Sequence, residues 1–329
     1  MVLGNSTVSY QDVINAKRRL AGAIRKTPLI QSEILSDAFN AKVFMKAENL
    51  QLTGSFKIRG AINFIRQLEE DEKIQGLIAY SSGNHAHAVA KVARIEGLTA
   101  TIVMPKNAPR IKIEATKKLG AEIVFYDRNS ESREDIARGI IEEKGGILIP
   151  PFDHSFTIAG QGTVGLEIID QMAALDEKPD IVLVPCSGGG LIAGIAIAIK
   201  HVLPNVELYT VEPENFDDTA RSLKNGKIET IAENQRSICD ALQVNKPGKL
   251  TFSINKILLS GGLTVTDEDI LKAMSLAFFR EKLVIEPGGA AALAAIMAKT
   301  IDIGGKNVVV VLSGGNVDPE TYKHSIESL

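Results

Sequence analysis

Residues 181–194 read IVLVPCSGGGLIAG, a stretch in which adjacent glycines join a short apolar run to an apolar segment of helical period. The run IVLVP has no polar alternation, which is typical of a strand buried on both faces of a sheet. A buried strand followed by a tight turn and a helix is the repeating unit of parallel sheets covered by helices. This stretch therefore predicts an α/β fold.

The same alternation continues on both sides of this stretch. Short apolar runs such as LIAYSS, ATIVMP and VVVVLSGG alternate with segments of helical period such as NHAHAVAKVARIEG and SREDIARGIIEEKG. No repeat or low-complexity linker interrupts the pattern. Residues from about 72 to 150 have the pattern of a self-contained βαβαβαβ insert.

Composition limits the classes of function. The chain has 329 residues, of which 45% are hydrophobic and 23% charged, and its net charge is -3. These values exclude a disordered chain and give no sign of a nucleic-acid surface. Cys186 and Cys239 have no paired spacing, the N-terminus lacks the apolar core of a signal peptide, and no apolar stretch is long enough to cross a bilayer. We expect a cytoplasmic protein with a small-molecule partner, and neither a nucleic-acid partner nor a membrane span.

Four predicted strands are followed by small, polar or glycine-rich turns, which read SSGNHAHA, CSGGGLIAG, EPENFDD and SGGNVD. Ligands in open α/β sheets bind beyond the carboxyl ends of the strands, so the four turns together predict one polar site. The glycine turn can bring backbone N–H groups to a phosphate, although a turn that serves packing alone remains the alternative. The spacing of Gly188, Gly190 and Gly194 differs from the G-x-G-x-x-G of dinucleotide sites.

Lys57 stands at a predicted helix start in TGSFKIRGA, residues 53–61. A helix N-terminus carries partial positive charge, so it favours a neutral, nucleophilic amine over a cation. A lysine, a phosphate cradle and the serine of the SGGNVD turn, Ser313, together match a cofactor with an aldehyde, a phosphate and a ring nitrogen. Pyridoxal phosphate (PLP) has these groups, and Lys57 would form its Schiff base.

Two further groups of polar residues leave alternatives open. Asn84 and His85 open a predicted helix and could bind a carboxylate or a ring oxygen, whereas simple capping of that helix by Ser82 is an equal alternative. The acidic turn EPENFDD could bind Mg²⁺ or Ca²⁺, or it could be a solvated loop.

The motifs GSFKIRGA, SSGNHA, IAGQGT, SGGGLIAG and LSGGNVD occur in this order, and through them the chain resembles the serine/threonine dehydratase and serine racemase family. The resemblance extends from TPLIQS to LSGGNVD. It implies the tryptophan synthase β-like architecture called fold type II, with two open, twisted, mostly parallel sheets flanked by helices. The large PLP-binding domain would comprise residues 1–66 and 151–329, and the small domain inserted in it would comprise residues 72–150.

The resemblance also implies which residues bind the cofactor. Lys57 resembles the Schiff-base lysine, and Phe56 resembles the neighbour that packs beneath the ring. Asn84 resembles the amide that holds the ring hydroxyl, and Ser313 resembles the partner of the ring nitrogen. The phosphate loop would consist of Ser187, Gly188, Gly189 and Gly190.

Substrate and metal ligands follow from the same resemblance. Arg133 in SESRE resembles an arginine that meets a second substrate carboxylate, although a surface arginine at a helix start fits equally. Ser82 resembles the serine that protonates the substrate on the face opposite the lysine in serine racemases. The expected substrate-binding residues are Ser81, Ser82, Asn84, His85 and Arg133. The expected ligands of a divalent cation, Mg²⁺ or else Ca²⁺ or Mn²⁺, are Glu212, the Phe216 carbonyl and Asp218.

We therefore expect a homodimeric ammonia-lyase (dehydratase) that converts L-threonine or L-serine to 2-oxobutanoate or pyruvate and ammonia. Dehydration of threo-3-hydroxyaspartate and racemisation of serine remain open, because Ser82 and Arg133 fit those reactions. Ala241 and Val244 depart from the family pattern, which leaves a non-catalytic module that binds PLP or an amino acid as an alternative of another class. A nucleotide-dependent oxidoreductase is disfavoured by the glycine spacing.

Overall fold

The computed structural model describes residues 7–81, 83–108, 110–127, 130–232 and 234–327, which form two sheets flanked by helices. The strands are β1 (Leu29–Ser32), β2 (Lys42–Ala47), β3 (Leu77–Tyr80), β4 (Ala100–Pro105), β5 (Glu122–Tyr126), β6 (Ile147–Leu148), β7 (Ile181–Pro185), β8 (Glu207–Pro213), β9 (Gly261–Val265) and β10 (Asn307–Leu312). The α-helices are α1 (Tyr10–Leu20), α2 (Glu33–Phe39), α3 (Lys57–Ile65), α4 (Glu70–Ile74), α5 (Asn84–Glu96), α6 (Arg110–Lys118), α7 (Arg133–Lys144), α8 (Ser155–Ala173), α9 (Gly190–Val202), α10 (Asp218–Asn225), α11 (Lys249–Leu258), α12 (Asp267–Leu276), α13 (Pro287–Met297) and α14 (Pro319–Glu327).

The larger sheet has six strands in the order β1-β2-β10-β7-β8-β9. Only its first pair, β1 with β2, is antiparallel, and the other neighbouring pairs are parallel. Every residue of β7 is buried, as expected for a parallel strand covered on both faces. One face packs against an apolar core that includes α12 and α13, and the other packs against α8 and α9. The apolar runs IVLVP and VVVVL thus form buried parallel strands, as predicted, and they are the two central strands of the sheet.

The smaller sheet has four parallel strands in the order β5-β4-β3-β6. Its strands alternate with α5, α6 and α7, so the chain between β3 and β6 has the βαβαβαβ order expected for the insert. Helix α5 shares an apolar core with α3, which follows β2 of the larger sheet in the chain. The division into two domains stays a prediction.

Within the ranges that the structure describes, no helix combines the length and the apolar character needed to cross a bilayer. Cys186 and Cys239 are both buried free thiols.

Candidate active site

The segment that leads into α3 pairs with the turn that follows β10. The Phe56 N–H donates to the Ser313 carbonyl at 3.2 Å, and the Gly315 N–H donates to the Gly54 carbonyl at 2.8 Å. Helix α3 begins at Lys57, as the sequence predicts. The pairing therefore places Lys57 close to Ser313, although β2 and β10 are far apart in the chain.

The Lys57 amine lies in a pocket between the two sheets. Its Nζ donates to the Pro151 carbonyl at 2.9 Å. Burial lowers the pKa of Lys57 to about 8, against the opposing effects of Cys186 and Glu286. A lysine with this pKa is substantially neutral in mildly alkaline solution, and only the neutral amine is nucleophilic or basic.

The glycine turn after β7 lies so close to neighbouring residues that there is no space for side chains on the glycines of the turn. A Cβ atom on Gly188 would lie 2.4 Å from the Phe152 ring, and Gly189 has a φ of +89°, which favours glycine. The Gly188 carbonyl accepts a hydrogen bond from Thr251 Oγ1 at 2.6 Å, which fixes the turn from outside. Helix α9 begins at Gly190, so its first N–H groups are available at this turn.

The turn also contains a polar atom without a partner. Ser187 Oγ is buried and makes no hydrogen bond within the described part of the chain. An anion at the start of α9 would accept hydrogen bonds from this hydroxyl and from the helix N–H groups. The residues of the turn therefore fit the phosphate of PLP.

Asn84, the first residue of α5, is held by two residues that the sequence analysis did not identify. Its Nδ2 donates to Glu286 Oε1 at 2.5 Å, and its Oδ1 accepts from Asn316 Nδ2 at 2.7 Å. Asn316 also donates to the Thr53 carbonyl at 2.8 Å. These contacts fix the side-chain amide at the edge of the pocket, where a ring hydroxyl could bind.

Glu286 is a buried carboxyl group beside this amide. Only 1% of the residue is exposed, and its Oε2 has no hydrogen-bond partner among the described residues. Burial raises the pKa of Glu286 to about 7, although Lys112 opposes the shift. Glu286 can therefore hold a proton near neutral pH.

His85 is neutral in this pocket. Its Nε2 lies 2.8 Å from the Ile149 carbonyl, and burial lowers its pKa to about 3. A neutral imidazole that bonds a backbone carbonyl can orient a ligand but holds no positive charge for a carboxylate.

One pocket brings together the described residues that the sequence analysis selected for cofactor and substrate. Ser82 lies outside the described residues. The predicted residues that line the pocket are Phe56, Lys57, Ser81, Asn84, His85, Arg133, Ser187, Gly188, Gly189, Gly190 and Ser313. Other lining residues include Tyr80, Lys112, Phe152, Asp240, Ala241, Leu242, Val244 and Glu286.

The predicted metal ligands lie outside this pocket. Glu212, in β8, accepts hydrogen bonds from the N–H groups of Thr219 at 3.1 Å and Ala220 at 2.7 Å. Both side-chain oxygens of Asp218 are buried without a hydrogen-bond partner among the described residues. Phe216, the third predicted ligand, is buried in the turn between them.

The two carboxyl groups are only partly compensated by the charge of Arg221, which forms its ion pair with Asp217. Burial and the charge of Asp218 raise the pKa of Glu212 well above its usual range, and burial raises the pKa of Asp218 as well. The described residues contain no group of three or more His, Cys, Asp or Glu side chains suited to a metal ion. A cation here would depend on two carboxylates and a backbone carbonyl.

Comparisons with known proteins agree with this arrangement. The chain is 40% identical over 316 residues to serine racemase of Schizosaccharomyces pombe, with 96% of each chain covered. It is 40% identical over 314 residues to L-threo-3-hydroxyaspartate ammonia-lyase of Saccharomyces cerevisiae, with 95% of each chain covered. A solved structure of threonine deaminase from T.th. is 42% identical and superposes with a TM-score of 0.89, over 94% of this chain and 99% of that one.

These likenesses confirm the predicted fold type II architecture. The family described as pyridoxal-phosphate dependent enzyme matches residues 20–314. Because the match covers most of the chain, including the pocket that contains Lys57 and the glycine turn, this protein belongs to the family of pyridoxal-phosphate dependent enzymes.

Proposed function

We propose that this protein is an ammonia-lyase that converts L-serine or L-threonine to a 2-oxoacid and ammonia. The observation that carries the proposal is the position of the Lys57 amine, whose pKa is lowered to about 8, in the pocket that also contains the glycine turn. Relatives named L-threo-3-hydroxyaspartate ammonia-lyase and threonine deaminase support this class of reaction.

When bound, PLP supplies an electron sink for the carbanion that remains after the substrate Cα loses its proton. In this proposal the turn from Ser187 to Gly190 would hold the phosphate, and Phe56 and Asn84 would contact and orient the ring. Lys57 Nζ takes the Cα proton. Ser313 would offer the ring nitrogen a neutral hydroxyl, which would make the cofactor a weaker electron sink and favour loss of the β-hydroxyl over amino transfer.

The wall of the pocket suits a short side chain. Phe152, Leu242 and Val244 line it with apolar groups, which fit the methyl group of threonine. Ser81, which directly follows β3, and Asn84 and His85, the first two residues of α5, would hold the substrate carboxylate. Ser82 is proposed as the proton donor on the opposite face, so serine racemisation remains the second candidate reaction.

The first experiment offers purified holoenzyme L-serine, L-threonine, L-threo-3-hydroxyaspartate and D-serine, and assays 2-oxoacid and enantiomer together. We expect oxoacid from L-serine and L-threonine, with kcat/KM values within about 200-fold of each other, because one methyl group in an apolar pocket changes binding by only ~1–3 kcal/mol. D-Serine formed faster than pyruvate would show a racemase. If neither product forms, the result would favour a module that binds PLP or an amino acid without turnover.

We also propose that Glu212, the Phe216 carbonyl and Asp218 bind Mg²⁺, or else Ca²⁺ or Mn²⁺. The two buried carboxylates repel each other, since Arg221 is engaged with Asp217 and compensates them only in part, and a divalent cation would remove that repulsion. The cation would stabilise the fold from a position outside the pocket. The N–H groups of Thr219 and Ala220 already orient Glu212 for this role.

The change Glu212→Ala is expected to remove any dependence of the melting temperature on Mg²⁺. In the unmodified protein a cation at ~100 times its dissociation constant should add about 2.7 kcal/mol to the free energy of unfolding. The matched control is Asp217→Asn, because Asp217 lies in the same acidic turn but is paired with Arg221. Thermal melts with Mg²⁺ and with a chelator measure the effect. If the unmodified protein has the same melting temperature in both, the acidic turn is a loop that binds no cation.

The domain boundaries, the oligomeric state and the cellular compartment are also proposals. We propose that residues 72–150 form a small domain inserted between residues 1–66 and 151–329, and that the protein is a cytoplasmic homodimer. The separate parallel sheet between β3 and β6 supports the first proposal. The buried free thiols of Cys186 and Cys239 agree with a reducing compartment.

A further inference from the structure

Tyr80 and Arg133 meet at the end of the pocket that belongs to the smaller sheet. Tyr80 is the last residue of β3, and Arg133 is the first residue of α7. Both line the pocket, and Arg133 Cζ lies 5.1 Å from the centre of the Tyr80 ring. A guanidinium group at this distance is attracted by the ring face.

Part of the Arg133 guanidinium is already engaged. Its Nε donates to Glu134 Oε1 at 2.8 Å. The two terminal nitrogens have no hydrogen-bond partner within the described ranges. These nitrogens form a planar fork of N–H donors that matches the two oxygens of a carboxylate. Within the described part of the chain, Arg133 is therefore held at Nε, and its terminal N–H groups face no competing acceptor.

Two other charged residues near this end of the pocket, Asp153 and Lys112, have partners of their own. Asp153 is close enough to raise the pKa of Tyr80 through its charge. It accepts hydrogen bonds from the N–H groups of Lys249, Leu250 and Thr251. Lys112 forms an ion pair with Asp240. Among the described residues, a second carboxylate on a substrate would therefore meet the terminal N–H donors of Arg133.

We infer that Tyr80 is a specificity-determining residue, which holds Arg133 in place so that the site prefers hydroxy amino acids with a second carboxylate over L-serine. The inference rests on the proposed function, and it concerns Tyr80 rather than Arg133 alone. A long arginine side chain without the ring would sample many rotamers, and ordering it on binding would cost affinity. The Tyr80 ring holds the guanidinium group of Arg133 in its binding orientation before the substrate binds.

The test compares Tyr80→Leu with Tyr80→Phe in the holoenzyme. The measured quantity is the ratio of kcat/KM for L-threo-3-hydroxyaspartate to kcat/KM for L-serine, in which general losses of activity cancel. Tyr80→Leu should lower the ratio about 5-fold, within the range of cation–π interactions. Tyr80→Phe keeps the ring and should keep the ratio within about 2-fold. An unchanged ratio in Tyr80→Leu, or an equal loss in both variants, would overturn the inference.

A binding measurement separates this inference from the proposed function. Calorimetry with succinate and butanoate, which differ by one carboxylate, reports the preference without turnover. A preference for succinate that Tyr80→Leu loses would support the inference even if no substrate were converted. No preference in the unmodified holoenzyme would overturn it.

A second variant covers the case in which Tyr80→Leu does not fold. Glu134→Gln removes the carboxylate that competes for Arg133, and this surface change should leave the fold intact. It is expected to strengthen succinate binding about 3-fold, because the Arg133 guanidinium can then form its ion pair with the ligand instead of with Glu134. Unchanged or weaker succinate binding would show that Arg133 does not bind the second carboxylate, and this would overturn the inference.

Discussion

Replacement of Lys57 by alanine is expected to abolish oxoacid release and to leave the cofactor-free fold intact. Loss of a positioned base alone lowers a rate by about 10²–10⁴-fold, and here the nucleophile that holds the cofactor is lost as well. The amine is buried with a pKa lowered to about 8, so its removal costs the cofactor-free fold no favourable charge. Oxoacid release, the visible absorption of bound cofactor and circular dichroism measure the three effects.

The matched control is Lys112→Ala, because Lys112 lines the same pocket but is engaged with Asp240. This variant should keep the visible absorption that depends on a bond between a lysine and the cofactor. If Lys57→Ala retained turnover, or if Lys112→Ala lost the absorption instead, the assignment of the lysine would be wrong.

The relative positions of the glycine turn and Ser313 could be predicted from the sequence, because they follow β7 and β10, and the carboxyl ends of parallel strands in one sheet meet at one edge. The SSG turn follows β3, which belongs to the smaller sheet, so this rule does not place it beside the other two turns. The partners of Asn84 could not be found in this way. Glu286 and Asn316 contact it across 202 and 232 residues of chain, and no local pattern encodes such contacts.

Helix α8 is a part of the fold that local sequence patterns could not explain. The motif IAGQGT, which carries part of the family resemblance, lies in α8 although glycine has a low helix propensity. A Cβ atom on Gly162 would lie 2.7 Å from the Gly194 carbonyl of α9. Packing between α8 and α9 therefore requires glycine here, and this tertiary contact outweighs the local preference. The alternation of apolar runs gives no sign of it.

Arg59, two residues after Lys57 in α3, belongs to a buried network of charged groups. It donates to both oxygens of Glu48 and to both oxygens of Glu167 at 2.7–3.0 Å. Lys46, also buried, donates to Glu167 at 2.7 Å. Although burial disfavours the guanidinium cation, the neighbouring carboxylates raise its pKa. The network ties α3 to α8 and to the chain that follows β2.

The change Arg59→Met is expected to lower the free energy of unfolding by about 3–5 kcal/mol, because Glu48 and Glu167 remain buried with one cation between them. Urea denaturation of the cofactor-free protein measures this loss. The matched control is Arg66→Met at the other end of α3, where the ion pair with Glu96 is partly exposed. That change should cost about 0–1 kcal/mol. Similar losses in the two variants would show that the buried network adds no stability.

The network also has a consequence for Lys57. Replacing a buried ion pair by apolar residues often does not reduce stability, so such a network gives α3 a defined position more than it gives the fold extra stability. Arg59→Lys retains the charge but cannot form two bidentate pairs. We expect Arg59→Lys to recover part of the stability but to bind PLP more weakly than the unmodified protein, because Lys57 starts from a less defined helix. Equal PLP affinity of Arg59→Lys and the unmodified protein would show that the rest of α3 positions Lys57 without this network.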